Sequence, residues 1–328
     1  MQKLIGIDIG GTKCAVCLGG ESPRGAFKIS AKKCFPSVRD GKEISFSTVV
    51  EELEKFLHES GAKASDFSAV GVSVGGCVDS KRGILVSTPV MPSWRTVKIG
   101  DALKRKLGIP AFVCNDANAC ALAEWKYGAG KGCRNMVFLT CGTGLGAGLI
   151  LDGGLYEGAQ GNAGEIGHIR LENIGPAGCG KAGSLEGFAS GAGIAQLGRI
   201  RALEMLQSGS ECSFCKTIEK LPDITAKSIS EAAEAGNADA ARIYAEAGDY
   251  LGRGIAVLAD ILNPERVVIG SIFARSEKLL RPSMERAIER EAMPVAAKSL
   301  KVLPAKLGEH IGDFAALAIA ASNAKEIK

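Results

Sequence analysis

Three groups in a glycine-rich stretch carry the first chemical signal: Glu165 and His168 in GNAGEIGHIR, and Glu186 in GSLEGFAS. Glu165 and His168 are three residues apart, close enough to face one ligand if the chain turns helically there, and carboxylates accept well from the hydroxyls of a polyhydroxylated molecule. Singly, each reads equally as a surface acid or a hydrogen-bonded His. A further acid, Asp116, follows Asn115 at the end of the apolar run PAFVCND and immediately before ANACALAEW. Asp in that place is a favoured helix cap. It is also the carboxyl end of a strand, where open α/β sheets bind ligands, and an acid there can take the proton of a substrate hydroxyl as general base.

The stretch DIGGTK offers different chemistry. Gly10 and Gly11 allow backbone N–H groups to approach and face phosphate oxygens, with Thr12 and Lys13 as further donors. Asp8 can hold Mg²⁺ through water, because magnesium keeps much of its hydration and takes one or two carboxylates. A Gly-Gly pair between strands is also an ordinary hairpin turn. Neither DIGGTK nor CGTGLG fits the Walker pattern or a G-x-G-x-x-G that opens a helix.

The elements that must position these groups alternate. KLIGIDIG, KCAVCLGG, SAVGVSVGG, PAFVCND and RNMVFLTCG read as strands, STVVEELEKFLHESG and ANACALAEWKYG as helices, which predicts a layered α/β fold with parallel pairing. The second half is richer in helix, and ARIYAEAGDYLGRGIAVLADILNP is expected to stop at Pro264, before the buried strand RVVIGS. A weak repeat supports two related domains: LIGIDIGGTKCAVCL from Leu4 and MVFLTCGTGLGAGLI from Met136 superpose with Gly10 on Gly142 and Thr12 on Gly144. Two such turns could clamp a phosphate chain.

Composition narrows the class. The chain has 328 residues, enough for about two domains, and 46% hydrophobic with 23% charged residues describes a compact globular protein. The net charge of +4 is scattered, with no basic block that would advertise nucleic acid. Asp8 interrupts the apolar N-terminal run, so it is not read as a secretory signal, and no run approaches a membrane span. Eleven Cys then read as reduced thiols in a cytoplasmic protein. Cys14 and Cys17, three apart in a strand, point to opposite faces and read as core. Cys212 and Cys215, in a polar break with no second pair nearby, read chiefly as structural, zinc needing four ligands.

Together these segments resemble the sugar kinases of the ROK family, within the actin-like ATPase superfamily. The match runs from IGIDIGGTK through NDANACALAE, GTGLGAGLILDGGLYEGAQGNAGEIGH and GSLEGFASG to NPERVVIG. The resemblance implies a two-domain fold, a small domain over 1–117 completed by a C-terminal helix over 312–328 and a larger one over 118–311, with ATP·Mg²⁺ and a hexose in the interdomain cleft. It makes Asp116 the base and gives Gly76, Asn115, Glu165, His168 and Glu186 to the sugar. Gly10, Gly11, Thr12 and Lys13 on one turn, Thr143 and Gly144 on the other, with Asp8 and Gly270, are implied for the nucleotide. The family also suggests a homodimer.

The chain departs from the family pattern in places. Gly75-Gly76 stands where many family glucokinases carry Pro-Gly, Val90 follows Pro89 where Asn is usual, and the adenine-side Gly-Gly is Gly270-Ser271. The family's zinc knuckle, counted back from Glu186, has Ala177, Cys179 and Ser184 at its three Cys positions. His168 and Cys179 alone remain as ligands, so no structural zinc is expected unless Cys212 and Cys215 complete a displaced site. The reading is an ATP-dependent hexose kinase, glucose at its 6-hydroxyl first and an N-acetylhexosamine second. A sugar-responsive regulator or a catalytically silent sugar-binding protein is a lesser alternative, with neither nucleic acid nor membrane as partner.

Overall fold

A computed structural model of the chain describes residues 2–22, 27–89 and 91–324. Val90 and residues 325–328 of the expected C-terminal helix therefore lie outside the described residues. The chain divides into two compact units, Met1–Arg134 with Gly148–Ala163 and Lys306–Lys328, and Asn135–Ala147 with Gly164–Ala305. This division differs from a boundary after residue 117. The helix Asp116–Tyr127 packs against the last helix, Ile311–Ala324, and against the strand Gly154–Tyr156, which holds it in the first unit.

The first unit is built on a five-stranded sheet in the order Ala111–Asn115, Val70–Val74, Gln2–Ile9, Lys13–Glu21, Phe27–Pro36. The first three run parallel and the last two antiparallel. Val70–Val74 is buried along its whole length, as a parallel strand covered on both faces must be, whereas the edge strand Phe27–Pro36 alternates exposed and half-buried residues over most of its length. The last helix lies on Gln2–Ile9 and Val70–Val74, its run AALAIAA short enough in side chain to come close. Cys14 and Cys17 fall in different hydrophobic clusters, one on each face of the sheet. The parallel register sets Asp8 beside Ser73 and Asn115 beside Val74, so the carboxyl ends of three strands meet along one edge.

The second sheet has the order Gly154–Tyr156, Leu145–Leu151, Met136–Cys141, Arg266–Ile269, Lys301–Pro304. Its neighbouring strands Met136–Cys141 and Leu145–Leu151 are the second copy of the repeat. The long helix Ala238–Leu262, capped by Asn237, stops at Asn263 in the left-handed region before Pro264. It packs on the helix Ile272–Glu291 and on the short helix Leu185–Ala189. Among the described residues no helix is long and apolar enough to cross a membrane.

Candidate active site

In the first unit, the edge where the parallel strands end carries Asp8, Gly76, Asn115 and Asp116. Asn115, and not Asp116, caps the following helix: its Oδ1 accepts the N–H groups of Ala117 and Asn118 at 2.9 and 3.3 Å. The Nδ2 of Asn115 donates to the Gly76 carbonyl at 3.0 Å, leaving one of its two amide hydrogens for a ligand. Gly76 sits at φ +114, and a Cβ there would strike the Ser87 carbonyl at 2.4 Å, so no other residue fits where this loop turns over the neighbouring hairpin. With capping assigned to Asn115, Asp116 begins the helix, its Oδ1 accepting the adjacent Ala117 N–H at 2.9 Å. Burial raises its pKa and the Ala117 hydrogen bond opposes that rise. The residue nevertheless retains exposed surface.

Asp8 is more enclosed. Burial first, then the Asp116 and Asp313 carboxylates, push its pKa up to about 6, while a Ser73 hydrogen bond and Lys32 pull it down. A Cβ on Gly312 would lie 2.4 Å from Asp8 Oδ2, so the carboxylate abuts the first turn of the last helix at a glycine. The positive end of that 14-residue helix suits an anion. Asp313, 2% exposed, is paired with Lys32 Nζ at 2.6 Å. An acid pushed toward protonation by burial and by two acidic neighbours gains from a nearby cation, and one such carboxylate fits a hydrated Mg²⁺ that needs one or two.

The turn Gly10–Lys13 closes through Gly10 N–H to the Lys13 carbonyl at 3.2 Å, with Gly11, Thr12 and Lys13 exposed. Ser37, fully buried, braces it from behind: its hydroxyl donates to the Gly10 carbonyl and its N–H to the Thr12 carbonyl. Sequence reasoning missed Ser37, Ser73, Gly312 and the Lys32–Asp313 pair, since nothing in KCFPSVRD or VGVSVGG marks a bracing hydroxyl.

In the second unit the matching turn, Gly142–Gly144, closes through Gly142 N–H to the Gly144 carbonyl at 3.0 Å. The first amides of the helix Gly191–Gln207 donate to the Gly142 and Thr143 carbonyls, at 2.8 and 3.3 Å. Gly270 is buried and donates to the Leu139 carbonyl. Ser271 follows at φ +57, ψ −115, a region that favours glycine, and its side chain makes no cap to the helix it precedes. Ser271→Gly is accordingly expected to stabilise the protein by about 1 kcal/mol, the order of strain stored by a non-glycine residue there. Matched denaturant titrations with no gain in midpoint would contradict that.

Glu165 precedes and His168 ends a single 3₁₀ turn, Ile166–His168, their side chains half exposed and 3.8 Å apart at Oε2 and Nε2. Glu186, in the short helix Leu185–Ala189, accepts the Leu145 N–H on Oε2 at 2.9 Å and the Cys179 N–H and thiol on Oε1 at 2.8 and 3.1 Å. A carboxylate has about four acceptor sites, so roughly one remains for a ligand. Among the described residues no group of three or more His, Cys, Asp or Glu could hold a metal. His168 and Cys179 do not fit a four-coordinate zinc, and Cys212 and Cys215, both buried, do not join them in such a group.

A protein named glucokinase from Halalkalibacterium halodurans is 33% identical over 312 residues, covering 94% of this chain and 92% of its own. An N-acetylglucosamine repressor of Escherichia coli O6:H1 is 30% identical over 88% of this chain and 69% of its own. The crystal structure of a ROK family glucokinase from Streptomyces griseus, in complex with glucose and AMPPNP, matches with a TM-score of 0.74 at 29% identity, covering 98% of this chain and 99% of that one. The ROK family pattern itself spans residues 4–323, and this chain belongs to the ROK family.

Proposed function

We propose that the protein phosphorylates a hexose with ATP, glucose at its 6-hydroxyl being the preferred acceptor. The observation that carries the reading is Asp116: a carboxylate at the carboxyl end of a parallel strand, relieved of capping by Asn115, with its pKa raised and its surface open. A raised pKa makes a carboxylate a better proton acceptor near neutrality. Likeness to glucokinases over nearly the full chain supports the substrate class.

In this reading Asp116 takes the hydroxyl proton, while Asn115 Nδ2, the Gly76 segment, Glu165, His168 and Glu186 orient the sugar. The amides of Gly11, Thr12, Thr143 and Gly144 and the Lys13 ammonium bind phosphate oxygens, Gly10 closes the first turn, and Gly270 lies on the base side. Mg²⁺, held by Asp8 through water, would neutralise charge on the donor phosphates, which is most of what phosphoryl transfer asks of its surroundings.

A second reading, an N-acetylhexosamine kinase, is favoured by Gly75-Gly76 and by the likeness to an N-acetylglucosamine repressor. A coupled ADP-release assay over hexoses and N-acetylhexosamines decides between them, and no turnover with any sugar would defeat both. Glu165→Gln is expected to raise the acceptor KM tenfold or more and leave that of ATP within about twofold, since losing a hydrogen bond to a charged group costs about 1.5 to 3 kcal/mol. Equal changes in both constants would mean that Glu165 does not face the sugar.

A further inference from the structure

The segment Ala177–Ser184 forms a hairpin of two-residue strands, Ala177–Gly178 and Lys181–Ala182, around the turn Cys179-Gly180. A hairpin this short does not hold itself together in water. Both turn residues have positive φ, +53 at Cys179 and +69 at Gly180, as a two-residue primed turn requires. Glycine or asparagine is the usual first residue, and Cys in the left-handed region is strained. Such strain persists only where surrounding contacts over-determine it.

Those contacts are present. The carboxamide of Gln196, on the helix Gly191–Gln207, pairs with both backbone groups of Ala177, accepting its N–H on Oε1 at 3.0 Å and donating from Nε2 to its carbonyl at 2.8 Å. Ser184 donates to the Gly178 carbonyl at 3.0 Å and caps Gly187 N–H at 3.2 Å. Lys181 Nζ donates to the His168 carbonyl at 2.7 Å, tying the hairpin to the turn that carries Glu165 and His168. The tip of the hairpin supplies two of the three donors on Glu186. Ala177 and Ser184 thus occupy two places where the family pattern would have thiolates, and both places are pinned by hydrogen bonds.

We infer that Gln196 and Cys179 are positioning residues for sugar binding: the Gln196 carboxamide clamps the hairpin and the Cys179 thiol and amide aim the Glu186 carboxylate, without a metal. The inference rests on the reading that Glu186 faces the sugar. Partial burial and the Glu186 acceptor also push the Cys179 pKa up to about 12, so the thiol keeps the proton it donates.

Cys179→Gly separates this role from a merely structural one. Glycine relaxes the backbone at φ +53, so a structural role predicts equal or greater thermal stability and an unchanged acceptor KM. A positioning role predicts stability no lower than the parent's, an acceptor KM raised about tenfold and an unaltered ATP KM. Cys179→Ser, which keeps a donor, is expected to restore the acceptor KM to within about threefold. Gln196→Ala is expected to raise the acceptor KM similarly and to speed amide hydrogen exchange across residues 177–182 in the substrate-free protein at least tenfold. Acceptor and ATP constants rising together, or none moving, would overturn the inference. So would about one zinc per chain whose chelation abolishes the exchange protection. If the parent phosphorylates no sugar, the proposed function fails, and the clamp is then judged by exchange alone: unchanged exchange in Gln196→Ala would overturn it too.

Discussion

Asp116→Asn is expected to lower kcat by about 10² to 10⁴, the range ascribed to a positioned general base, while the acceptor still binds with an affinity within a few-fold of the parent's. The reason is local. Asn115 supplies the cap, so the helix Asp116–Tyr127 does not depend on the Asp116 carboxylate, and Asn keeps an Oδ1 for the Ala117 N–H. Steady-state kinetics with isothermal titration of the sugar would measure both effects. A variant that folds normally and turns over within a few-fold of the parent would remove Asp116 from the mechanism. In the parent, the acid limb of the kcat/KM profile should lie above the ordinary carboxylate range, as the raised Asp116 pKa requires.

Asp8→Asn is expected to act in opposite directions on activity and stability. Loss of the carboxylate that would hold Mg²⁺ should reduce turnover at least a hundredfold, removal of one metal-holding charge being worth several kcal/mol of transition-state stabilisation. Stability should move the other way. Burial and its acidic neighbours hold the folded-state pKa of Asp8 at about 6 against 3.8 for an ordinary Asp carboxyl, so between those values the folded protein keeps a proton that the unfolded chain has released. Stability from this group therefore falls as pH rises through that window, and the full cost is present at pH 7. Asn, uncharged, escapes it, which is worth about 3 kcal/mol at pH 7 and little near pH 4. Thermal melts at the two pH values test this. A variant less stable than the parent at pH 7 would show that the Asp8 charge is stabilised by its surroundings, the Ser73 hydrogen bond and Lys32 among them.

The sequence by itself determined the alternation of strands and helices, the two matching glycine turns, the stop of the long helix before Pro264 and the set of polar residues around those turns. Each is legible because it rests on near-neighbour physics: the two-residue period of strands, the 3.6-residue period of helices, and the few residue types that turns and caps accept. Tertiary structure alone decided which of Asn115 and Asp116 caps the helix, because that choice turns on the Gly76 carbonyl, 39 residues away, which engages the Asn115 amide and leaves the cap to Asn115. It also decided the raised pKa of Asp8, which depends first on burial and then on Asp116 and Asp313 from distant parts of the chain. The bracing of the first turn by Ser37 and of the hairpin by Gln196 came from the fold in the same way. A lone Ser or Gln has no periodicity and no composition signature. Whether it supports a site depends on which backbone groups the folded chain leaves unpaired within about 3 Å of it.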